Sequence, residues 1–262
     1  MANTFDKARE FIRTVDLSGT PRGIVSQAAA EEAGQVFDKA KTQAQVVGSA
    51  VFSFAQGVDE KVREAISESA LLAQLVANKR ASAEADPIAW FSEYSKVLQN
   101  VGWVVQDGGW ADYGTQGTAA EVNEKIVEVL TVVLGPAPAA LAIVTATITA
   151  LKGMKSDSSW ITIFNRESQQ AKIARFQIGL VEKTSDSDVF VSLLSCLVEA
   201  KNDITQILFF KFRQSAASFK ANSTKVSINR AALTDLGPTI RTRVRAYQAD
   251  YLSSIQDLLM PK

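Results

Sequence analysis

The chain has 262 residues, 47% of them hydrophobic, with 28 basic and 28 acidic side chains. That suffices for one large domain or two small ones, is too apolar for disorder, and gives no general attraction to nucleic acid or anionic lipid. Histidine is absent and Cys196 is the only cysteine, which excludes Ser-His-Asp and Cys-His catalysis, His-ligated or Cys-cluster metal sites, a His-based pH switch and an intrachain disulfide.

Taken in order, the N-terminus MANTFDKAREFIRTVD lacks the apolar run of a secretory signal. This predicts cytoplasmic synthesis outside the Sec route, with lysis or another export system as the ways out to a host membrane. Residues 4–15 read as an amphipathic helix with Phe5, Ala8, Phe11 or Ile12, and Val15 on one face. Residues 16–23 form a loop, and residues 26–41, rich in Ala, Glu and Gln, a second helix. Near-alternation over 45–54 predicts a strand. Residues 59–79 predict a helix whose acidic start and basic end suit the helix dipole. Asp86-Pro87 opens another helix over 87–100. A short strand is expected at 103–106, then a loop through Gly108-Gly109 to Gly117.

From Val129 to Leu151 the chain runs 23 residues without a charge. A continuous helix of that length would rise roughly 35 Å, but Gly135-Pro136-Ala137-Pro138 breaks it. Two helices with a corner are predicted, 121–134 and 138–152. The second is apolar nearly all round, so it belongs in a protein core or in lipid. Its break and short second arm argue against a permanent transmembrane span. The residues that would enter a bilayer are Leu130, Val133, Leu134, Leu141, Ile143, Val144 and Ile148.

After Ser156 the period turns to alternation. Strands are expected at 160–164 (WITIF), 172–182, 189–198, 204–213 and within 217–229, with turns at 184–188 and 200–203. Short turns imply antiparallel pairing. A last helix runs over 238–259. The order predicts an α+β fold in a single domain, mainly helical over 1–155. Its sheet, antiparallel or mixed, comes from the C-terminal half and packs on the N-terminal helices. The apolar helix pair is buried, and strand 189–198, apolar on both faces, is central.

No phosphate loop, nucleophile elbow or calcium loop occurs. The carboxylate pairs Glu31-Glu32, Asp59-Glu60 and Asp186 with Asp188 read as solvated helix ends and a turn. Arg241, Arg243 and Arg245, two apart, fan around a helix and form no single patch. No catalytic residue, metal or nucleic-acid partner is expected. Cys196 sits in the most apolar strand. Burial raises a thiol's pKa and no His can activate it, so it is a poor nucleophile. It reads either as core or as a point of fatty acylation.

Helices, an apolar helix, then a strand meander with one cysteine about three quarters along: in that order the chain resembles the insect-gut virulence factors of the Erwinia type. The resemblance implies a compact α/β fold and a thioester-linked fatty acid on Cys196 within SLLSCLVEA, in place of any other cofactor. It also implies a non-enzymatic virulence or insecticidal factor that meets lipid or a membrane surface. The residues leave three other readings open: a helical pore former that inserts the 130–150 hairpin, an enzyme using carboxylates or a metal bound through Asp and Glu, and a binding protein for an apolar small molecule.

Overall fold

The structure, a computed structural model, describes residues 4–19, 24–25, 43–113, 119–134, 138–153, 159–170, 172–183, 188–200, 204–206, 211–212 and 217–259. In chain order the elements are α1 (Thr4–Thr14), β1 (Ile24–Val25), β2 (Gln43–Val47), β3 (Ala50–Phe54), α2 (Glu60–Arg80), α3 (Pro87–Asn100), β4 (Trp103–Asp112), α4 (Ala119–Leu134), α5 (Pro138–Gly153) and α6 (Ser159–Ser168). They continue with β5 (Gln169–Gln170), β6 (Ile173–Lys183), β7 (Val189–Ala200), β8 (Ile204–Gln206), β9 (Lys211–Phe212), β10 (Ala217–Ile228) and α7 (Arg230–Leu259). The fold is α+β, in two compact units interleaved in sequence. One comprises Met1–Ile24, Asp59–Val104 and Ile228–Lys262; the other comprises Val25–Val58 and Val105–Ser227.

The first unit is helical. Asp59 caps α2 by accepting from the Val62 amide at 3.0 Å, and Asp86 caps α3 by accepting from Ala89 at 2.9 Å. Both satisfy amides that a helix start leaves without an internal partner. Ile12, Ile66, Leu72, Leu75, Trp90 and Tyr94 are among the most fully buried side chains. Arg9 of α1 pairs with Asp235 of α7, and Arg241 of α7 with Glu64 and Glu68 of α2. The last helix starts at Arg230, not at the expected Pro238. One proline removes a single amide donor. Leu236 and Ile240, buried on either side of it, carry the helix through by packing.

The second unit is built on a sheet. Among the described residues its strand order is β1-β2-β3-β6-β7-β10-β4, with β5 on β6. Pairs β2–β3 and β6–β7 are antiparallel and β3–β6 is parallel, so the sheet is mixed. Strand β7 is interior, as its unbroken apolar run predicts. The N-terminal half also contributes strands. The expected strand 45–54 is a hairpin, turning at Gly48, whose φ of 53° is one that glycine adopts without strain. The strand expected at 103–106 runs on to Asp112 through Gly108-Gly109. Gly108 marks a close approach: a Cβ there would lie 2.3 Å from the Ser223 carbonyl oxygen.

Two further expectations fail in this unit. Residues 160–164, expected as a strand, lie in helix α6. Ile161 and Phe164 are buried and Thr162 is exposed. That is a helical repeat of three, in which core packing overrides the preference of Ile, Thr and Phe for strands. Residues 204–213 are not one strand of the meander. Instead β8 and β9 pair with each other in a separate two-stranded sheet, with a register shift between Ile204 and Gln206. The helix expected at 26–41, the turns at 184–187 and 201–203 and the middle of the 204–213 segment lie outside the described residues.

Candidate functional site

Helices α4, α5 and α6 pack on one face of the sheet. That face carries Ala174, Phe176, Ile178 and Leu180 of β6 and Leu194, Cys196 and Val198 of β7. In register, Cys196 lies opposite Phe176, whose ring meets Phe164 of α6 edge-on at 5.9 Å between centroids. Cys196 is wholly buried, and burial pushes its thiol pKa well above the ordinary value. It is therefore protonated and unreactive in the folded state at neutral pH.

The α4–α5 pair divides its residues by exposure more sharply than by hydropathy. Ile126, Val129 and Leu130 of α4 and Ala140, Val144, Thr147 and Ile148 of α5 face the core. Ser53 of β3 donates to the Thr147 hydroxyl at 2.9 Å, and Thr147 donates to the Ile143 carbonyl at 3.0 Å. This satisfies both hydroxyls inside an apolar layer. Outward, α5 presents Ala139, Ala142, Thr145, Ala146 and Thr149, none of them charged. On the outward face of α4, Glu124 and Glu128 give way to Val127, Thr131 and Val132. Val132 is 76% exposed, the most exposed large hydrophobic side chain among the described residues.

The insertion residues read from sequence are thus divided. Leu130, Val144 and Ile148 point into the core, while Val133, Leu141 and Ile143 are half-buried. The Leu134 side chain lies outside the described residues. The outward residues Val127 and Val132 are not among those read from sequence, because hydropathy alone does not tell which side of an apolar helix faces out. The readable signal is that the outer repeat Glu124, Glu128, Thr131, Val132 loses its charge halfway along.

On the opposite face of the sheet Arg175 is buried. It donates to Ser49 Oγ at 3.3 Å and to the Glu167 carbonyl at 3.2 Å, and burial lowers its pKa to about 9. It ties β6 to the β2–β3 turn and to the end of α6. Of the carboxylates, Asp59 is a helix cap, while Glu31, Glu32 and Asp186 lie outside the described residues. Arg241 pairs with acids and Arg243 donates to the Val15 carbonyl at 2.7 Å, so the arginines diverge as their spacing predicts. Among the described residues no three His, Cys, Asp or Glu side chains converge as a metal site would require.

No family model and no curated protein matches this sequence. Solved structures similar to the chain include a delta-endotoxin, at TM-score 0.42 and 13% identity over 68% of this chain and 79% of that one. They also include the Evf virulence factor, at TM-score 0.36 and 9% identity over 94% and 88%. A third is the activated Cyt2Ba monomer from Bacillus thuringiensis subsp. israelensis, at TM-score 0.26 and 10% identity over 53% and 79%. These are toxin- and virulence-type proteins. At such scores the likeness is one of outline, and it assigns no activity.

Proposed function

We propose that the chain is a non-enzymatic virulence- or toxin-type factor that associates with host membranes, with the α4–α5 pair as the contacting element. The observation that carries this reading is the outward face of that pair: uncharged among the described side chains of α5, and bearing an exposed Val132 in the last turn of α4. Fully burying a valine contributes about 1.5–3 kcal/mol. Val127 and Val132 together therefore support only weak, reversible binding, as a single acyl chain does.

A second anchor would make association stable. A fatty acyl thioester on Cys196 is the candidate. Its acyl group would transfer from an acyl-thioester donor to Sγ, with the thiol proton passing to the departing thiolate. Because the thiol is wholly buried, modification would have to precede closure of the core. The test for the surface is vesicle flotation. Wild type floats and Val132→Glu stays behind with unchanged melting; equal flotation of the two would refute the assignment. The test for the lipid is intact mass before and after hydroxylamine. An excess of one acyl chain, removed by hydroxylamine and absent in Cys196→Ser, is expected; an unmodified mass from a host that supplies the donor returns Cys196 to core packing.

A second reading is favoured by one feature: among the described side chains of α5, the inner face is as free of charge as the outer. In it, the pair exchanges sheet for lipid and permeabilises the bilayer. Helix α5 is about 24 Å long by its rise per residue, short of the roughly 30 Å of a bilayer core. No helix among the described residues is long and apolar enough to cross a membrane. Insertion would therefore need a shallow or assembled form, which dye leakage from liposomes detects.

A further inference from the structure

We infer that the lipid surface this face fits is a zwitterionic one, held without electrostatic attraction. The inference rests on the membrane reading above and names the partner of the same site. Charge is the first ground. Among the described side chains of α4 and α5, the exposed charges are Glu124 and Glu128, while Lys125 is turned back onto Glu128 at 2.7 Å. Attraction to anionic lipid takes a cluster of basic side chains near the surface. This outward face presents acidic groups to any anionic headgroup layer.

The second ground is how the polar atoms on the face are satisfied. Exposed Thr131 donates its hydroxyl proton to the Val127 carbonyl at 2.8 Å, one turn back in its own helix. A hydroxyl bonded this way needs no water, which suits a surface that enters a medium of low dielectric. The third ground is what the face lacks as a protein interface. Beside Glu124 and Glu128, its described outward residues are Val, Ala and Thr, with neither the aromatic nor the arginine anchors that dominate protein–protein contacts.

The test is flotation of the full chain with vesicles of phosphatidylcholine alone and with about one third phosphatidylserine, each at low and at raised salt. Binding to phosphatidylcholine that changes by less than about two-fold with salt, and that serine lipid does not improve, is the expected result. Binding that requires the serine lipid and is released by salt overturns the inference while leaving the membrane reading intact. Absence of binding to every vesicle overturns both. A stable dimer in solution that Val132→Glu dissociates overturns the inference in favour of a second copy of the chain.

Discussion

Gly179 shows how a single position constrains the sheet. It stands in register with Phe52 of β3 and Leu193 of β7. A Cβ there would lie 2.6 Å from the Phe52 ring, so the ring must shift in a close-packed layer. Gly179→Ala is expected to cost about 1–3 kcal/mol in denaturant unfolding, whereas Gly57→Ala, with open space around it, meets only the backbone strain of its left-handed φ. Two carboxylates make opposite predictions. The Arg241–Glu68 pair is attractive and holds Arg241 charged, yet burial outweighs that attraction at Glu68 and raises its pKa above 4.5. Its contribution to stability is present below that unfolded value and lost as pH rises through the folded one. At Glu93 the hydrogen bond from Lys96 lowers the pKa below 4.5. Its contribution is present above the unfolded value and lost as pH falls through the folded one. Melting curves across pH should therefore show Glu68→Gln neutral or stabilising at pH 7. Glu93→Gln should be destabilising there, with the difference fading in acid.

At the scale of the element, the α4–α5 pair separates a structural from a functional substitution within one helix. Ala140 is 3% exposed in the core and Ala146 faces outward. Ala140→Asp buries a charge and is expected to unfold the unit, while Ala146→Asp should leave stability within about 0.5 kcal/mol. Circular dichroism and vesicle flotation on the same samples check this: Ala146→Asp keeps the spectrum and loses the vesicles. How legible each element was follows from where its signal lies. Helices α2 and α3 announce themselves, because Asp59, Asp86 and Pro87 are local chemistry at the first turn. Strands β6 and β7 do so by alternation and by an unbroken apolar run. WITIF misleads because Ile, Thr and Phe prefer strands, and only the packing of Ile161 and Phe164 against the core reveals the helix. Residues 204–213 mislead because alternation shows that a strand exists, not which strand it pairs with. The outward face of α5 was hidden because Ala and Thr read as core when no charge falls between Pro138 and Leu151 to orient the helix.

For the molecule, the α+β order was readable because helical and alternating periods occupy different stretches of the chain. The parallel β3–β6 pairing was not, since nothing local records which edge a distant hairpin joins. Cys196 was legible as a residue of the most apolar strand, and the structure places it beside Phe176 and beneath a helical layer. The central claim concerns the other side of that layer, and one measurement reaches it directly. An environment-sensitive dye is attached at Val132→Cys and, separately, at the exposed Glu60→Cys of α2, with buried Cys196 left unlabelled. Adding phosphatidylcholine vesicles should shift the emission of the Val132 probe to the blue and leave the Glu60 probe unchanged. Vesicle-bound protein with no shift at position 132, or with equal shifts at both positions, would contradict the assignment of the α4–α5 face as the membrane-contacting surface.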